Sequence, residues 1–491
     1  MKKSLVSIIL LALSLLILLV PFAGMTVAKT DSTTENRTLA ELPSISGEDG
    51  FNTRFFQELG AYFEDHFAFK NQLVTVDSAI QSKVFKESNV DTIAVGQNDW
   101  LYYTASIPDY LGSETVSDRE AYNIAYNIAL MQKKAAESKC SFLFTVAPNK
   151  NSLYGDNMPY YDDVKVSDVK NITKVTAELE NLMVPYADLY TAFEKEPEIL
   201  YLKRDSHWNE KGAVLAHNTI MDALGKDHET YATVPALRTK TKVGDLDKAL
   251  NSLNTTPEWD IEYQFEPDAA FANEAEDWEA DWIETENSDK KAKGSLLMFR
   301  DSFGISLCKY TAEEFKKAAF SRNTVYFLDS YMEQVKPDTL LVEIVERNLT
   351  RFGKFSPEEP YSYGPPIMSA TKADIKAKDV ENAVFVEESG ALEFSRSLLQ
   401  PTYLEFDGYV DKELVNDHSK IYIEVTSGGV PTLYDAFLVN ISGNEYGYVM
   451  YLNSDDISTA TIDERVIVEN DGMYYVISEG TLEIPSDEMT E

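Results

Sequence analysis

The sequence predicts an α/β protein with a parallel sheet and flanking helices, followed by a C-terminal all-β accessory domain. From about Asp118 to Val345, apolar runs of strand length alternate with segments of helical periodicity. This alternation is typical of a parallel sheet with crossover helices. Beyond about Ala370, strand-like runs follow one another with turn residues between them and no convincing long helix. That second pattern favours a small β-sandwich.

The N-terminus has the features of an export segment. Lys2 and Lys3 precede an uncharged stretch that extends from Ser4 to Ala28. A basic flank followed by an apolar run predicts passage across a membrane. We expect residues 1–28 to be a signal peptide or a signal anchor, since the length of the run is compatible with both, and residues 29–50 to be a polar stalk. The protein is then exported: anchored at the outer face of the cytoplasmic membrane, secreted, or in the cell wall.

Residues 51–365 are predicted to form the main domain. Phe51 to Lys70 has apolar side chains at helical spacing and predicts an amphipathic helix. Asp118 is the expected N-cap of the next long helix. The elements predicted after it are a helix at 118–138, a strand at 141–147, a helix at 166–182, a strand at 184–189, a helix at 210–224, a strand at 295–299, a helix to about 319, and strands at 325–328 and 340–345.

Two further segments depart from this pattern. Residues 238–293 are crowded with Asp, Glu and Trp, and we expect a mostly irregular acidic insertion there. Residues 352–366 are rich in Pro, Gly, Ser and Tyr, which predicts a linker. The β domain at 370–485 is expected to fold apart from the sheet, because such a linker offers few crossing contacts.

Composition excludes several classes of function. The 491 residues include 44 basic and 82 acidic side chains, which gives a net charge of −38. This charge argues against nucleic acid as a partner and against an anionic bilayer surface. It is compatible with a neutral or cationic glycan, although solubility alone explains it and is the interpretation we favour.

Cysteine usage gives no sign of a disulfide framework or a bound metal. Cys140 and Cys308 are the two cysteines, and no Cys/His spacing fits a metal site. We expect buried free thiols, while a single disulfide remains open in an exported protein. No metal and no cofactor are predicted.

The strongest functional signal is the segment Asp205-Ser206-His207-Trp208-Asn209 together with a distant serine. Ser302 follows an apolar strand at a predicted strand-to-helix turn. A carboxylate two residues before a histidine can accept a hydrogen bond from the imidazole and orient it. A serine at such a turn can present its hydroxyl to the same imidazole. The chain has five histidines, so few alternatives compete for the base. The pattern predicts a Ser-His-Asp triad for acyl transfer.

The residues of several sequence segments, and their order along the chain, resemble those of a known family. "VPYADLYTAF" and "DSHWNEKGAVLAHNTI" are similar to the last strand and histidine loop of SGNH hydrolases, "SLLMFRDSFGISL" to their nucleophile turn, and "KPDTLLVEIVERN" to the strand before their oxyanion block. Because the histidine block comes first here, the domain resembles a circularly permuted SGNH hydrolase.

That permutation points to a particular family. From Thr34 to Tyr361 the chain resembles the DHHW family, named for an Asp-His-His-Trp tetrad and related to periplasmic alginate O-acetyltransferases. Supporting segments are "ENRTLAELP", "YFEDHFAFKNQL", "GQNDWLYY", "APNKNSLY" and "DSHWN". Ser206 stands where the tetrad has its first histidine. We expect its side chain to point away from the site without loss of chemistry.

Each triad residue has an assigned role and a simpler alternative. Ser302 is expected to be the nucleophile, and an N-cap serine is the alternative that is compatible with this role. His207 is expected to be the general base, and the alternative is that it is a capping or core histidine. Asp205 is expected to fix the imidazole tautomer, and the alternative is that it is a surface or capping carboxylate.

Residues around the triad are expected to complete the site. The backbone N–H groups of Ser302 and Gly304 are candidates for the oxyanion hole. Arg347 lies where the resemblance implies a third donor, so we expect it to stabilise the oxyanion or to bind the sugar. The alternative is an ion pair with Glu343 or Glu346. Asn149 and Lys150 end another strand on the same rim and are substrate candidates. Asp301 is expected to be structural.

The resemblance implies O-acetyl transfer onto a cell-surface or exported polysaccharide through an acyl-serine. It also implies a partner, a multi-spanning membrane-bound O-acyltransferase that supplies the acetyl group. One alternative is a carbohydrate acetylesterase, in which water takes the acetyl group. Another is a non-catalytic scaffold that binds glycan, and the intact Asp205, His207 and Ser302 argue against it.

Overall fold

The structure is a computed structural model that describes residues 2–24, 40–47, 50–69, 72–73, 76–77, 80–251, 253–357, 364–375 and 377–485. It divides into two compact units, Met1–Val95 with Val243–Thr256, and Gly96–Lys242 with Pro257–Glu491.

The α-helices are α1 (Lys2–Gly24), α2 (Phe55–His66), α3 (Ile107–Leu111), α4 (Asp118–Glu137), α5 (Lys150–Tyr154), α6 (Asn171–Asn181), α7 (Leu189–Glu194), α8 (Glu210–Ala223), α9 (Asp245–Leu250), α10 (Gly304–Glu314), α11 (Leu328–Val335) and α12 (Ala377–Val380). The strands are β1 (Ser46–Gly47), β2 (Gly50–Phe51), β3 (Ile93–Val95), β4 (Leu101–Tyr103), β5 (Ser141–Ala147), β6 (Tyr186–Ala187), β7 (Ala236–Lys242), β8 (Glu258–Tyr263), β9 (Ala269–Phe271), β10 (Trp282–Asn287), β11 (Ser295–Phe299), β12 (Lys317–Ser321), β13 (Thr339–Val345), β14 (Lys354–Phe355), β15 (Val384–Phe385), β16 (Gly390–Arg396), β17 (Tyr403–Val410), β18 (Lys420–Ser427), β19 (Val430–Asp435), β20 (Phe437–Ile441), β21 (Asn444–Asn453), β22 (Thr461–Asn470) and β23 (Met473–Glu483).

The first unit contains the predicted amphipathic helix, which is α2. Across the residues with described coordinates, no helix combines the length and apolarity that a membrane span requires. Residues 25–39, which include half of the predicted stalk, lie outside the described part of the chain. The signal or anchor function of residues 1–28 stays a prediction.

The second unit is built on a seven-stranded sheet with the order β6-β5-β13-β11-β12-β10-β9. The five strands from β6 to β12 are parallel, while β10 and β9 extend the edge in antiparallel pairing. The central strands β11 and β13 are almost continuous apolar runs because helices cover both faces of a parallel sheet. All five parallel strands therefore end at one edge, which is where this fold class binds ligands.

Two local predictions for the sheet are wrong. The helix expected to continue to about 319 ends at Glu314, and β12 follows it in parallel pairing with β11. The strand expected at 325–328 is absent from this described stretch, and α11 begins at Leu328 instead. Short apolar runs do not distinguish helix from strand, so pairing with the rest of the sheet decides.

The N-terminal end of α4 also differs from the prediction. Ser117, and not Asp118, is the N-cap: its hydroxyl accepts from the Glu120 backbone N–H at 2.9 Å. The Glu120 carboxylate accepts in return from the Ser117 backbone N–H at 3.2 Å. This reciprocal capping box satisfies two backbone donors that would otherwise lack partners at the start of the helix.

The acidic segment 238–293 is more regular than expected. It contributes β10, whose Ile283 is fully buried, to the main sheet, and β9 pairs with β10. The register pairs Ile283 with Phe320 of β12. Strands at a sheet edge are compatible with many charged residues, because one face and one edge stay in water.

The C-terminal region forms two five-stranded sheets, with the orders β14-β20-β21-β17-β16 and β15-β23-β22-β18-β19. Their apolar side chains share one buried cluster, as in a sandwich. The predicted boundaries of the domains stay predictions.

The contacts between the β region and the main sheet are more extensive than we expected. Helix α4 packs against both β5 and β20. Asn127 on α4 is fully buried, and its amide donates to the carbonyls of Phe352 and Leu438 at 2.7 Å each. Its side-chain oxygen accepts from the Leu438 backbone N–H at 2.8 Å. Because α4 is buried by both layers, the expectation of few crossing contacts is wrong.

Candidate active site

Ser302 lies in the turn between β11 and α10. Asp301 shapes this turn, since its carboxylate accepts from the backbone N–H of Phe303 at 2.8 Å and from that of Val345 at 2.6 Å. The second bond ties the turn to the end of the neighbouring strand β13. Asp301 thus has structural contacts of the kind that the sequence led us to expect.

His207 faces this serine from the loop before α8. Its Nε2 lies 2.8 Å from Ser302 Oγ, and its Nδ1 lies 2.8 Å from Asp205 Oδ1. The same carboxylate oxygen accepts from the His207 backbone N–H at 2.9 Å, so Asp205 holds both the ring and its backbone. Asp205 is 6% exposed. The three predicted triad residues therefore form one hydrogen-bonded chain in the order that a triad requires.

Ser206 does not point away from the site as expected. Its hydroxyl lies 3.2 Å from His207 Nδ1, on the same ring nitrogen that Asp205 contacts. The side chain is buried. The position therefore adds a polar neighbour to the imidazole.

Trp208 connects the histidine loop to α10, the helix that follows the nucleophile. Its indole N–H donates to Ser306 Oγ at 2.8 Å, one turn after Ser302. Its ring also packs edge-on against Phe303, with 5.0 Å between the centroids. The contact fixes the spacing between the two segments that carry the base and the nucleophile.

Lys150 occupies a different position from the substrate contact that we predicted. The side chain is buried, and its ammonium donates to the carbonyls of Leu202, Lys203 and Asp205 at 3.2, 3.0 and 2.5 Å. It also lies 5.5 Å from the ring centroid of Trp100. A buried cation that satisfies three carbonyls of the histidine loop acts on the position of that loop.

Asn149 and Arg347 lie together at the ends of β5 and β13. Asn149 is fully buried, its amide donates to Asp109 at 3.2 Å, and its side-chain oxygen accepts from Arg347 at 3.5 Å. The Arg347 guanidinium lies 5.0 Å from the Tyr103 ring centroid and 5.8 Å from that of Phe303. Arg347 therefore borders the triad at its Phe303 side, whereas Asn149 is enclosed by polar partners.

Gly304 begins α10 directly after the nucleophile turn. The first N–H groups of a helix lack intrahelical acceptors and form the positive end of its dipole. A Cβ at position 304 would lie 2.6 Å from Arg300 Cδ, so glycine is required for this close approach. The geometry leaves the backbone N–H groups near Ser302 suited to stabilise an oxyanion.

Sequence reasoning assigned no role in the site to two acids beside these residues, the buried Glu346 and the half-buried Asp109. Glu346 accepts from the Asn149 backbone N–H at 2.8 Å, and burial, with the charge of Asp109 second, raises its pKa to about 8. Burial also raises the pKa of Asp109. The signal available in the sequence was the position of Glu346 directly after an apolar strand, at the edge where the triad lies.

Comparison with known proteins finds one family model that matches part of the chain. Residues 93–285 match the family model described as the SGNH hydrolase-like domain of the acetyltransferase AlgX. The match includes Asp205 and His207 and ends before Ser302. The predicted SGNH-type α/β fold with additional β-rich sheets is confirmed. No curated protein matches the chain significantly.

Several solved structures are similar to parts of the chain. A DHHW family protein from Eubacterium siraeum is 18% identical over 47% of this chain and 86% of its own, with a TM-score of 0.39. PatB1 of Bacillus cereus is 16% identical over 52% and 96%, with a TM-score of 0.42. The O-acetyltransferase domain of Pseudomonas putida AlgJ is 16% identical over 52% and 92%, with a TM-score of 0.36. The match makes residues 93–285 of the chain similar to the SGNH hydrolase-like domain of the acetyltransferase AlgX.

Proposed function

We propose that the protein is a serine-dependent O-acyltransferase that acetylates a cell-surface or exported polysaccharide. The observation that carries the proposal is the hydrogen-bonded chain from Ser302 Oγ through His207 to Asp205, with 2.8 Å at each contact of the imidazole. The family match at residues 93–285 supports an acyl-transfer reaction.

In the first half-reaction, Ser302 Oγ attacks the carbonyl carbon of an acetyl ester. His207 Nε2 accepts the hydroxyl proton, and Asp205 stabilises the imidazolium that forms. The negative charge on the carbonyl oxygen develops near the positive end of α10, where the N–H groups of Ser302 and Gly304 are candidates to stabilise it. His207 then returns its proton to the leaving oxygen, and the acetyl group remains on Ser302.

In the second half-reaction, a hydroxyl of the acceptor sugar replaces the leaving group. His207 takes its proton, the sugar oxygen attacks the acyl carbonyl, and Ser302 leaves with the proton from His207. The products are an O-acetyl sugar and the free serine. If water enters in place of the sugar, the same steps give acetate, so exclusion of water separates a transferase from an acetylesterase.

The source of the acetyl group and the location of the protein are part of the proposal. On the resemblance to alginate O-acetyltransferases, the donor is a membrane-bound O-acyltransferase partner. The basic and apolar N-terminus supports a location outside the cytoplasmic membrane, where such a partner would deliver acetyl groups and the polysaccharide would be present.

Three variants test the role of the triad. Ser302→Ala and His207→Ala are each expected to abolish acetyl turnover on a surrogate ester, because triad members act as a unit. Asp205→Asn is expected to reduce kcat by about 10⁴-fold, since it favours the wrong imidazole tautomer. Ser288→Ala, at an exposed serine that bonds Asp268, is the matched control and should keep full turnover. Full turnover in folded Ser302→Ala would overturn the covalent mechanism.

A partition experiment separates transferase from esterase. The wild-type protein is incubated with the ester and a panel of oligosaccharides, and acetylated sugar and free acetate are both quantified. Transfer to at least one oligosaccharide in preference to water supports the proposal. Acetate alone with every acceptor favours an acetylesterase, and no turnover at all with an intact fold favours a glycan-binding scaffold.

A further inference from the structure

Two acids, Asp301 and Glu343, lie together behind the nucleophile turn. Glu343 is a fully buried residue of β13, the strand that pairs with β11. Its Oε2 accepts from the Asp301 backbone N–H at 3.2 Å, one residue before Ser302. The Asp301 carboxylate in turn accepts from the backbone N–H groups of Phe303 and Val345 at 2.8 and 2.6 Å. These bonds connect β13 to the turn on both sides of the nucleophile.

The second oxygen of Glu343 meets another acceptor. Within the described residues, no N–H or O–H donor reaches Glu343 Oε1. The Glu343 carboxyl is in hydrogen-bonding contact with the Asp301 side chain, and an ionised carboxylate offers acceptors alone. A buried acceptor without a donor is unfavourable, whereas a proton between two carboxyls turns their contact into a hydrogen bond. The geometry therefore favours one proton held between these two acids.

The backbone donors indicate which of the two acids holds this proton. Both oxygens of Asp301 already accept backbone N–H groups, an arrangement that suits a carboxylate. Glu343 accepts from the backbone on Oε2 alone, so its Oε1 is the oxygen that can carry the proton and donate it to Asp301. The pKa of Glu343 agrees, because burial and then the charge of Asp301 raise it well above the ordinary range.

The charge of Arg300 agrees with one proton on the pair. Arg300 is buried beside the two acids, and its guanidinium donates to backbone carbonyls at 3.3, 3.0 and 2.8 Å. This cation balances one ionised carboxyl, whereas two ionised carboxyls beside it would leave an uncompensated negative charge in the core.

The other titratable groups near Glu343 add no charge at neutral pH. Burial raises the pKa of Cys308 on α10 and of Tyr326 to about 12 each. Burial also raises the pKa of Tyr201 well above its ordinary value. All three side chains are therefore neutral neighbours, and the balance of charge depends on Arg300 and the two acids.

We propose that Glu343 is a positioning residue for the nucleophile, protonated on Oε1 and donating to Asp301 behind the turn. The inference rests on the proposed function, because it gives Glu343 the role of holding Ser302 Oγ 2.8 Å from His207 Nε2. Glu343 acts through Asp301, to which it donates one hydrogen bond and from which it accepts another. Without the proton, two negative charges would be in contact in the core, and the turn would have to move.

Two substitutions of Glu343 in the full chain separate the hydrogen-bond donor from the shape of the side chain. Glu343→Gln keeps the shape and offers an N–H donor to Asp301, so kcat on a surrogate acetyl ester should stay within about threefold of wild type. Glu343→Met keeps a similar length but removes both the donor and the acceptor. Because a displacement of about 1 Å costs on the order of 100-fold in rate, we expect kcat to fall by about 10- to 100-fold and KM to change by less than about threefold.

A second buried acid provides the matched control. Glu464 is 3% exposed, and within the described residues its Oε2 has no hydrogen-bond partner. It lies on β22, in one of the C-terminal sheets and not in the main sheet. Glu464→Met should therefore lower stability but leave kcat unchanged when turnover is measured below its unfolding midpoint.

Infrared difference spectroscopy detects the proton itself. At mildly alkaline pH, the spectrum of the wild-type protein minus that of Glu343→Gln should contain the C=O stretch of a protonated carboxylic acid. This measurement does not depend on whether Glu343→Met folds. Absence of the acid band would overturn the inference. Wild-type kcat in folded Glu343→Met, or a kcat in folded Glu343→Gln reduced by tenfold or more, would also overturn it.

The two proposals fail in distinguishable ways. If the Glu343 proposal is wrong, turnover of the surrogate ester still depends on Ser302, but the acid band is absent or the substitutions of Glu343 do not have the expected effects on kcat. If the triad proposal is wrong, turnover does not depend on Ser302, while the acid band and its loss in Glu343→Gln persist.

Discussion

Replacing Lys150 by methionine tests how the histidine loop is held. The ammonium donates to three loop carbonyls at 3.2, 3.0 and 2.5 Å, and methionine keeps the chain length while it removes all three donors. Hydrogen bonds from charged donors contribute about 1.5–3 kcal/mol each, but the desolvation of a buried ammonium offsets part of that gain. We therefore expect the free energy of unfolding to fall by about 2–4 kcal/mol.

The same substitution should slow the chemistry. Asp205, whose carbonyl Lys150 holds, orients His207, and a displacement of about 1 Å in such a group costs on the order of 100-fold in rate. We expect kcat on a surrogate acetyl ester to fall by about 10- to 100-fold while KM changes by less than about threefold. Loss of kcat without loss of binding is the readout that separates positioning from general destabilisation.

A matched lysine provides the control. Lys174 donates to the Val116 carbonyl at 2.9 Å and to Asp118 at 2.8 Å, and its side chain is 26% exposed. Lys174→Met should cost less than about 1 kcal/mol and leave kcat unchanged. Wild-type kcat in folded Lys150→Met, measured below its unfolding midpoint, would refute the view that the ammonium positions the triad.

Three other outcomes are expected. Gly304→Ala should lower kcat at least about tenfold and stability by about 1–3 kcal/mol, because the new Cβ would lie 2.6 Å from buried Arg300; enzyme assays and thermal unfolding check both. Asn127→Ala should lower the free energy of unfolding by about 3 kcal/mol or more in denaturant titration, since three buried hydrogen bonds to backbone are lost. Burial raises the pKa of Asp407 to about 7, so the fold favours the protonated acid and loses stability as the pH rises from about 4 to 7. Asp407→Asn should therefore have a Tm gain over wild type that is near zero at pH 4 and grows up to pH 7; a gain independent of pH would contradict this.

The triad could be predicted because local sequence specifies most of its geometry. Asp205 and His207 are two residues apart in one loop, and Ser302 follows an apolar strand at a turn. Strands β5, β11 and β13 were also predicted closely, since buried parallel strands are nearly continuous apolar runs with little ambiguity.

The roles of the surrounding polar residues could not be predicted in the same way. Lys150 contacts carbonyls more than fifty positions away in the chain, and Glu346 contacts Asn149 across 197 positions. Sequence spacing gives no measure of such distances. The same limit explains β12, whose helical-looking segment becomes a strand because β11 lies beside it.

The proposed acyl-serine is tested most directly by trapping it. The protein is mixed with a surrogate acetyl ester, quenched in acid within the first turnovers, digested, and the peptide that contains Ser302 is analysed by mass spectrometry. The account predicts an acetyl group on Ser302 in the wild-type protein, none in His207→Ala, and its loss when an acceptor oligosaccharide is added before the quench. Continued turnover with Ser302 never acetylated, or acetylation of Ser302 that proceeds equally in His207→Ala, would contradict it.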